Sequence, residues 1–278
     1  MNDTARARVT NIQPAILNAL KESATRPFLE RILAGISGSQ ELVQFIHRYT
    51  VFNGNFAGGV ANLAGAFHIQ QGLFRDVSEA IDHCADRSSE IASYIFFAAE
   101  DEYAVRDGGP RWTHRGLGQL FLKETLKYFH INDGQFSKSF ILTPTIDRIL
   151  EEVIEGYKIN KADSEPVLFG ALGFHIGAEL LADVEFNVIH NYLELGHSGL
   201  TQHLMQRDID HHVNAYHWIQ VHTYAEAKHF DGAIVAAEKA LQYYVGARSV
   251  QVVESEILEG FWSFVRLQQR FFKSVLED

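Results

Sequence analysis

The residues with the clearest chemical pattern in this sequence are His222, Glu226 and His229. They lie at positions i, i+4 and i+7, so all three side chains project from one stripe of an α-helix. Two imidazoles and a carboxylate are the donors that non-haem iron or manganese takes between the helices of a bundle. The stripe therefore predicts a metal site. Chance produces such spacings in a chain with 14 histidines, so other residues must support it.

Three more candidate ligands lie elsewhere in the chain, namely Glu102, His114 and Glu179. Glu102 ends one predicted helix, His114 begins the next, and Glu179 lies in the most apolar stretch of the sequence. With the stripe they make three carboxylates and three imidazoles, the ligand set of a dinuclear carboxylate centre. Calcium and magnesium prefer all-oxygen ligands, and structural zinc prefers cysteine, so we expect iron.

Each of these three residues also has a purely structural explanation. Glu102 belongs to an acidic run, and such runs are usually solvated. His114 could be a polar residue near a helix start. Glu179 could be neutralised by His175, which lies one helical turn before it, because an unpaired buried carboxylate is costly. The metal hypothesis therefore depends on the six residues occurring together.

The elements that must position these residues are predicted to be helices. Only five prolines occur, and the segments between them have helical rather than alternating periodicity. Two short helices begin near Pro14 and Pro27, and a glycine-containing helix with a kink follows over residues 40–67. Further helices are predicted at 74–84, 88–103, 114–129, 144–157, 167–195, around 222–229, at 232–244 and at 250–276.

The connections between these helices are polar. The clearest helix breaker is the loop at residues 106–111, a polar turn surrounds Asp133, and hydrophilic segments cover 158–166 and the histidine-rich region after Gly199. Residues 167–195 are apolar nearly all round, which predicts a central buried helix. The last helix has so many aromatic residues that it must either close the bundle or form a homodimer interface.

Composition excludes several classes of function. The net charge of −11 leaves no cationic excess for nucleic acid or an anionic membrane. One cysteine excludes an internal disulfide, and the N-terminus lacks the apolar run of a signal peptide. No window has the nearly uninterrupted apolar residues of a membrane span. We therefore expect a soluble, cytoplasmic protein with a single helical domain over residues 1–278.

The candidate ligands resemble the pattern of a known family, the haem-oxygenase-like di-iron oxidases and oxygenases, which are related to pyrroloquinoline quinone synthase and thiaminase-type proteins. The family pattern is a Glu, a loop, a His, a Glu in a buried helix containing Ala-Leu-Gly, and finally His-x3-Asp-x2-His. The matching residues here are Glu102, His114, Glu179, His222, Glu226 and His229. The resemblance covers residues 100–229 and implies an all-α, haem-oxygenase-like bundle of about seven core helices plus short N-terminal helices.

The sequence departs from this pattern in three places. Glu226 stands where the family has Asp. The interval from Glu102 to His114 is long, and Glu100 remains an alternative ligand. The interval from Glu179 to His222 is also long, so Glu185 remains an alternative to Glu179, which the local sequence favours.

The resemblance implies a function as well as a fold. It implies two iron ions, O2 as co-substrate, an external electron donor where one is needed, and a small-molecule substrate. A nitrogen-containing metabolite of specialised metabolism is expected, with N-oxygenation favoured and oxidative C–C cleavage next. Two alternatives remain open: a metal-free, small-molecule-binding or thiaminase-like member of the same fold, and a helical binding protein without chemistry.

Overall fold

Helices make up most of what the computed structural model describes, namely residues 11–76, 79, 87–103, 112–157, 164–210 and 213–277. This confirms the all-α class. The helices are α1 (Gln13–Ser23), α2 (Thr25–Ala34), α3 (Ser39–Asn53), α4 (Phe56–Ile69), α5 (Arg87–Tyr103), α6 (His114–Tyr128), α7 (Asp133–Ser139), α8 (Pro144–Gly156), α9 (Glu165–Gly196), α10 (Ser198–Met205), α11 (His217–Tyr243) and α12 (Val250–Ser274). A short antiparallel hairpin joins β1 (Asp208–Asp210) to β2 (Val213–Asn214).

The kinked helix predicted over residues 40–67 is two helices. α3 ends at Asn53 and α4 begins at Phe56. The side-chain amide of Asn53 donates to the Tyr49 carbonyl at 3.1 Å, and that of Asn55 donates to the Val51 carbonyl at 2.7 Å. These local bonds compete with continuation of the helix, which explains the break next to Gly54.

The polar connections contain more structure than predicted. The turn around Asp133 is helix α7, which begins with a capping box between Asn132 and Gln135. The segment after Gly199 forms α10 and the hairpin, and the two helices predicted over 222–244 are the single helix α11.

Several predicted segments fall largely outside the described residues. Of the helix predicted at 74–84, Phe74 instead pairs with Tyr244 in a β-bridge, and most of the rest lies outside the described part. The breaker loop at 106–111 and residues 158–163 also lie outside it.

The centre of the fold is α9, which packs against α11 and α12. α9 passes α12 at glycines: a Cβ on Gly173 would lie 1.8 Å from the Ile257 carbonyl oxygen, and one on Gly260 would lie 1.9 Å from that of Gly170. Only glycine allows backbones to approach this closely. The phenylalanine side chains of α12, including Phe261, are buried, so the last helix closes the bundle.

α9 also has the length and hydropathy of a membrane span, contrary to the expectation that no window would. However, 78% of its most apolar window is buried inside the protein. That burial fits the core helix of a soluble protein.

Candidate metal centre

Four helices bring the six predicted ligands together. α11 directs His222, Glu226 and His229 inward, with exposed fractions of 4%, 3% and 3%. α9 runs alongside α11 and contributes Glu179. The last turn of α5 contributes Glu102, and α6 begins at His114, directly after the N-cap Thr113.

The six residues form two groups of three. The first group consists of Glu102, His114 and His222, and the second of Glu179, Glu226 and His229. Within each group, one potential ligand atom from each residue lies within 4.8 Å of the other two. We call these the first triad and the second triad. Each combines carboxylate and imidazole donors, the mixed set that suits a divalent transition metal.

Glu226 faces both triads. Its Oε1 lies 3.5 Å from His222 Nε2 in the first triad, and its Oε2 lies 3.5 Å from His229 Nδ1 in the second. A carboxylate with one oxygen directed to each of two donor groups has the geometry of a bridging ligand. The longer side chain of Glu, relative to the Asp of the family pattern, still reaches both groups.

The orientation of both triad histidines on α11, His222 and His229, is fixed by a hydrogen bond at the nitrogen that faces away from the triads. His222 Nδ1 lies 2.6 Å from the Trp218 carbonyl oxygen, which can only accept, so Nδ1 donates and Nε2 is left for a metal. The Phe186 ring stacks on His222 with 4.0 Å between centroids. His229 Nε2 bonds to Asp101 Oδ2 at 2.8 Å, which leaves Nδ1 facing the second triad.

His114 is held differently. Its Nδ1 is buried and has no hydrogen-bond partner among the described residues, although it lies 3.3 Å from Glu102 Oε1. The two atoms are close without hydrogen-bond geometry. An ion coordinated by both would satisfy the nitrogen, so the donor set of the first triad fits a metal ion.

Asp101 contacts a candidate ligand directly and Tyr157 contacts one through His175, and neither was foreseen from the sequence. Asp101 orients His229, and only the acidic run at the end of α5 hinted at its role. The hydroxyl of Tyr157 lies 3.3 Å from His175 Nδ1, which in turn lies 3.2 Å from Glu179 Oε1. Both the structural and the metal-binding explanation of Glu179 thus apply, because it contacts His175 and also belongs to the second triad.

The two alternative ligands are not in either triad. Glu100 is exposed. Glu185 is buried and accepts a hydrogen bond from Gln268 Nε2. It nevertheless lines the same internal cavity as Glu179 and Glu226, and burial raises its pKa to about 7 despite the hydrogen bond from Gln268.

The buried candidate ligands differ in how strongly the fold favours their charged forms. Burial raises the pKa of Glu226, and the neighbouring Glu179 adds to that effect. Burial also disfavours the charged form of Glu179, but His175 and His229 outweigh it and lower the pKa of this carboxyl. The pKa of His222 is far below its usual value because of burial and the adjacent His114.

Neighbouring carboxylates favour the protonated form of the other two imidazoles, those of His114 and His229. Burial opposes protonation of His114, but Glu102 outweighs it, so the pKa of His114 is raised. Asp101 and the two acids of the second triad likewise raise the pKa of His229 against the effect of burial. Protons therefore supply part of the positive charge between these carboxylates, and divalent cations would displace them on binding.

The internal cavity beside the triads is small, with a volume of about 30 Å³. It is walled on one side by aromatic rings, among them Phe52, Phe56 and Phe264. That volume holds waters or a diatomic molecule. A larger cleft lies on the outer side of Glu102, so an organic molecule would approach from there.

The fold and the site together define an all-α protein with a candidate dinuclear metal centre. No protein-family model matches the chain, and no curated protein matches it either. The functional conclusion therefore depends on the geometry of the two triads.

Proposed function

We propose that this chain is a non-haem di-iron, O2-dependent oxidase or oxygenase that acts on a small nitrogen-containing metabolite. The observation that carries the proposal is the pair of buried triads with Glu226 directed to both. Two adjacent ions with a shared carboxylate are the arrangement that dinuclear carboxylate enzymes use. Bound ferrous iron would supply the electrons for O2 activation.

The choice of iron follows from the donors. Each triad offers nitrogen and carboxylate oxygen, whereas magnesium and calcium prefer oxygen alone and structural zinc prefers cysteine. The chain has a single cysteine, Cys84, whereas structural zinc sites use two or more. Three protein donors per ion leave coordination positions for O2 and substrate.

The residues around the triads have supporting roles in this proposal. Asp101 and the Trp218 carbonyl fix the two imidazoles of α11. Phe186 and the other aromatic side chains restrict water around the ions. Glu185 would hold a proton inside the cavity and exchange it near neutral pH, because its pKa is about 7.

The substrate class follows from the resemblance of the ligand pattern. N-oxygenation of an amine is the favoured reaction, and oxidative C–C cleavage is the next. An external electron donor would return the ions to the ferrous state between turnovers. The substrate must reach the ions from the cleft beside Glu102, because the internal cavity is too small for it.

The proposal is tested by O2 reactivity after anaerobic loading with ferrous iron. Wild-type protein should consume O2 and develop a transient visible absorption. Glu226→Ala should abolish both, while His68→Ala, which removes an exposed imidazole on α4, should leave both unchanged. O2 consumption that is the same in wild type and Glu226→Ala would reject the proposal.

The metal-free alternative is favoured by one observation. His114 lies close to Glu102, and His229 bonds to Asp101, so the buried charges are partly paired without a metal. A metal-free binding protein would show equal iron content in wild type, Glu226→Ala and His68→Ala. The di-iron proposal requires iron to be lost only in Glu226→Ala.

A further inference from the structure

A surface cleft lies directly against the first triad. Its volume is about 660 Å³, which is the size of a site for a small organic ligand. It is formed where α3 gives way to α4, at the end of α5, at the start of α6 and at the end of α8. Glu102 lines both this cleft and the internal cavity, so a ligand in the cleft would lie beside the centre.

The floor of the cleft is open because of a glycine. A Cβ on Gly58 would have the Tyr103 hydroxyl at 4.0 Å as its nearest neighbour, so a side chain there would occupy the cleft itself. Two apolar side chains are exposed in its walls, Tyr103 at 46% and Ile154 at 51%. An open floor between exposed apolar walls suits the apolar part of a ligand.

Among the described residues, one cation lines the cleft, namely Arg115. It follows His114 on α6 and its side chain is exposed. None of the ion pairs between described residues involves it. Glu102, the acid of the cleft, already lies close to His114. Among the described residues of the cleft, the charge that remains available to a ligand is therefore positive, and a guanidinium binds a carboxylate through two parallel hydrogen bonds.

We propose that this cleft binds a small organic acid, with its carboxylate on Arg115 and its apolar part over Gly58 between Tyr103 and Ile154. Such a ligand would reach the first triad at Glu102. Binding of the acid in the cleft does not depend on the proposed function. Only the further statement that this acid is the substrate rests on it. Together, the two proposals describe a substrate that has both a carboxylate and a nitrogen.

Three probes of matched shape test the charge preference: 4-phenylbutanoate, 4-phenylbutylamine and 4-phenylbutanol. Binding to the full, metal-free chain is measured by ligand-observed NMR titration. The carboxylate should bind at least about tenfold more tightly than the amine or the alcohol, since a charge-assisted bond contributes that much. Equal binding of the three probes, or tighter binding of the amine, would overturn the proposal.

Two variants with matched controls test where in the cleft the carboxylate probe binds. Arg115→Gln removes the charge and Gly58→Leu fills the floor; each should weaken carboxylate binding about tenfold or more. Gly65→Leu changes an exposed glycine on the same helix with no atom within 4 Å, and Arg31→Gln changes an exposed arginine on α2. Both controls should bind like wild type. Unchanged binding in Arg115→Gln and Gly58→Leu would overturn the proposal.

Iron content separates this inference from the proposed function. The two cleft variants should retain the iron content of wild type while losing the carboxylate. Carboxylate binding by a chain that takes up no iron on anaerobic loading would refute the di-iron function and support the cleft. Iron without carboxylate binding would refute the cleft and leave the di-iron function supported.

Discussion

Glu226 determines whether this centre is one site or two, because its oxygens face different triads. The i, i+4, i+7 spacing was sufficient to predict that this residue shares a stripe with His222 and His229. The spacing could not predict which acidic side chain would contact His222 or His229. His229 Nε2 bonds to Asp101, a partner 128 residues away in sequence, and such contacts depend on how α5 packs on α11.

Asp101 provides the first test at this scale. We expect Asp101→Asn to weaken metal binding at the second triad about 10- to 100-fold, because a carboxylate behind a ligating imidazole orients it and increases its basicity. Ferrous titration against a competing chelator measures the change. Glu100→Gln, the adjacent exposed acid, is the control. Equal losses in the two variants would show that Asp101 has no special role.

Glu185 provides a pH test in the metal-free protein. Its pKa is about 7 in the fold against an ordinary value of 4.5, so the fold favours the protonated form. The stability contributed by this group is complete below pH 4.5 and is lost as the pH rises through 7. Glu185→Gln keeps an uncharged side chain throughout. Relative to wild type, the variant should therefore become more stable by on the order of 3 kcal/mol as the pH rises from below 4.5 to about 8.

Urea unfolding at several pH values measures this divergence. Glu151→Gln, an exposed acid on α8, serves as the control and should follow wild type at each pH. Parallel pH profiles for Glu185→Gln and wild type would contradict a buried, protonated Glu185.

At the scale of elements, the close crossing of α9 and α12 holds the central helix in place. The sequence predicted a buried helix at 167–195, but it did not indicate that Gly173 and Gly260 lie at a backbone contact. Apolar periodicity identifies which face of a helix is buried and not which neighbour it meets. The break at Gly54 and the continuity of α11 were missed for a related reason, since local bonds and tertiary packing set helix ends.

Two glycines on α9 form a matched pair for testing this crossing. A Cβ on Gly173 would lie 1.8 Å from the backbone of α12, whereas a Cβ on Gly170 meets no atom within 4 Å. We expect Gly173→Ala to destabilise the fold by about 2–3 kcal/mol. Gly170→Ala should be neutral or stabilising by about 0.5–1 kcal/mol, because alanine favours a helix.

Chemical denaturation compares the free energies of unfolding of the two variants. A similar change in both would mean that the helices do not meet at Gly173. Loss of iron in Gly173→Ala, with binding retained in Gly170→Ala, would further show that this crossing positions Glu179.

For the whole molecule, the sequence predicted the all-α class, the central helix and the four helices that carry the candidate ligands. The bundle type, the single domain and the homodimer remain predictions. The joint occurrence of six donor residues was informative because each alone had a structural explanation. Their division into two triads, and the position of the cleft beside one of them, required the packing of α5, α6, α9 and α11 in three dimensions.

The number of irons bound per chain tests the central claim most directly. After anaerobic loading and removal of free metal, we expect two irons in wild type and in His68→Ala. We expect one in His114→Ala, because the second triad remains intact, and one in His229→Ala, because the first remains. One iron or none in wild type, or two irons retained in both triad variants, would contradict a dinuclear centre built from these residues.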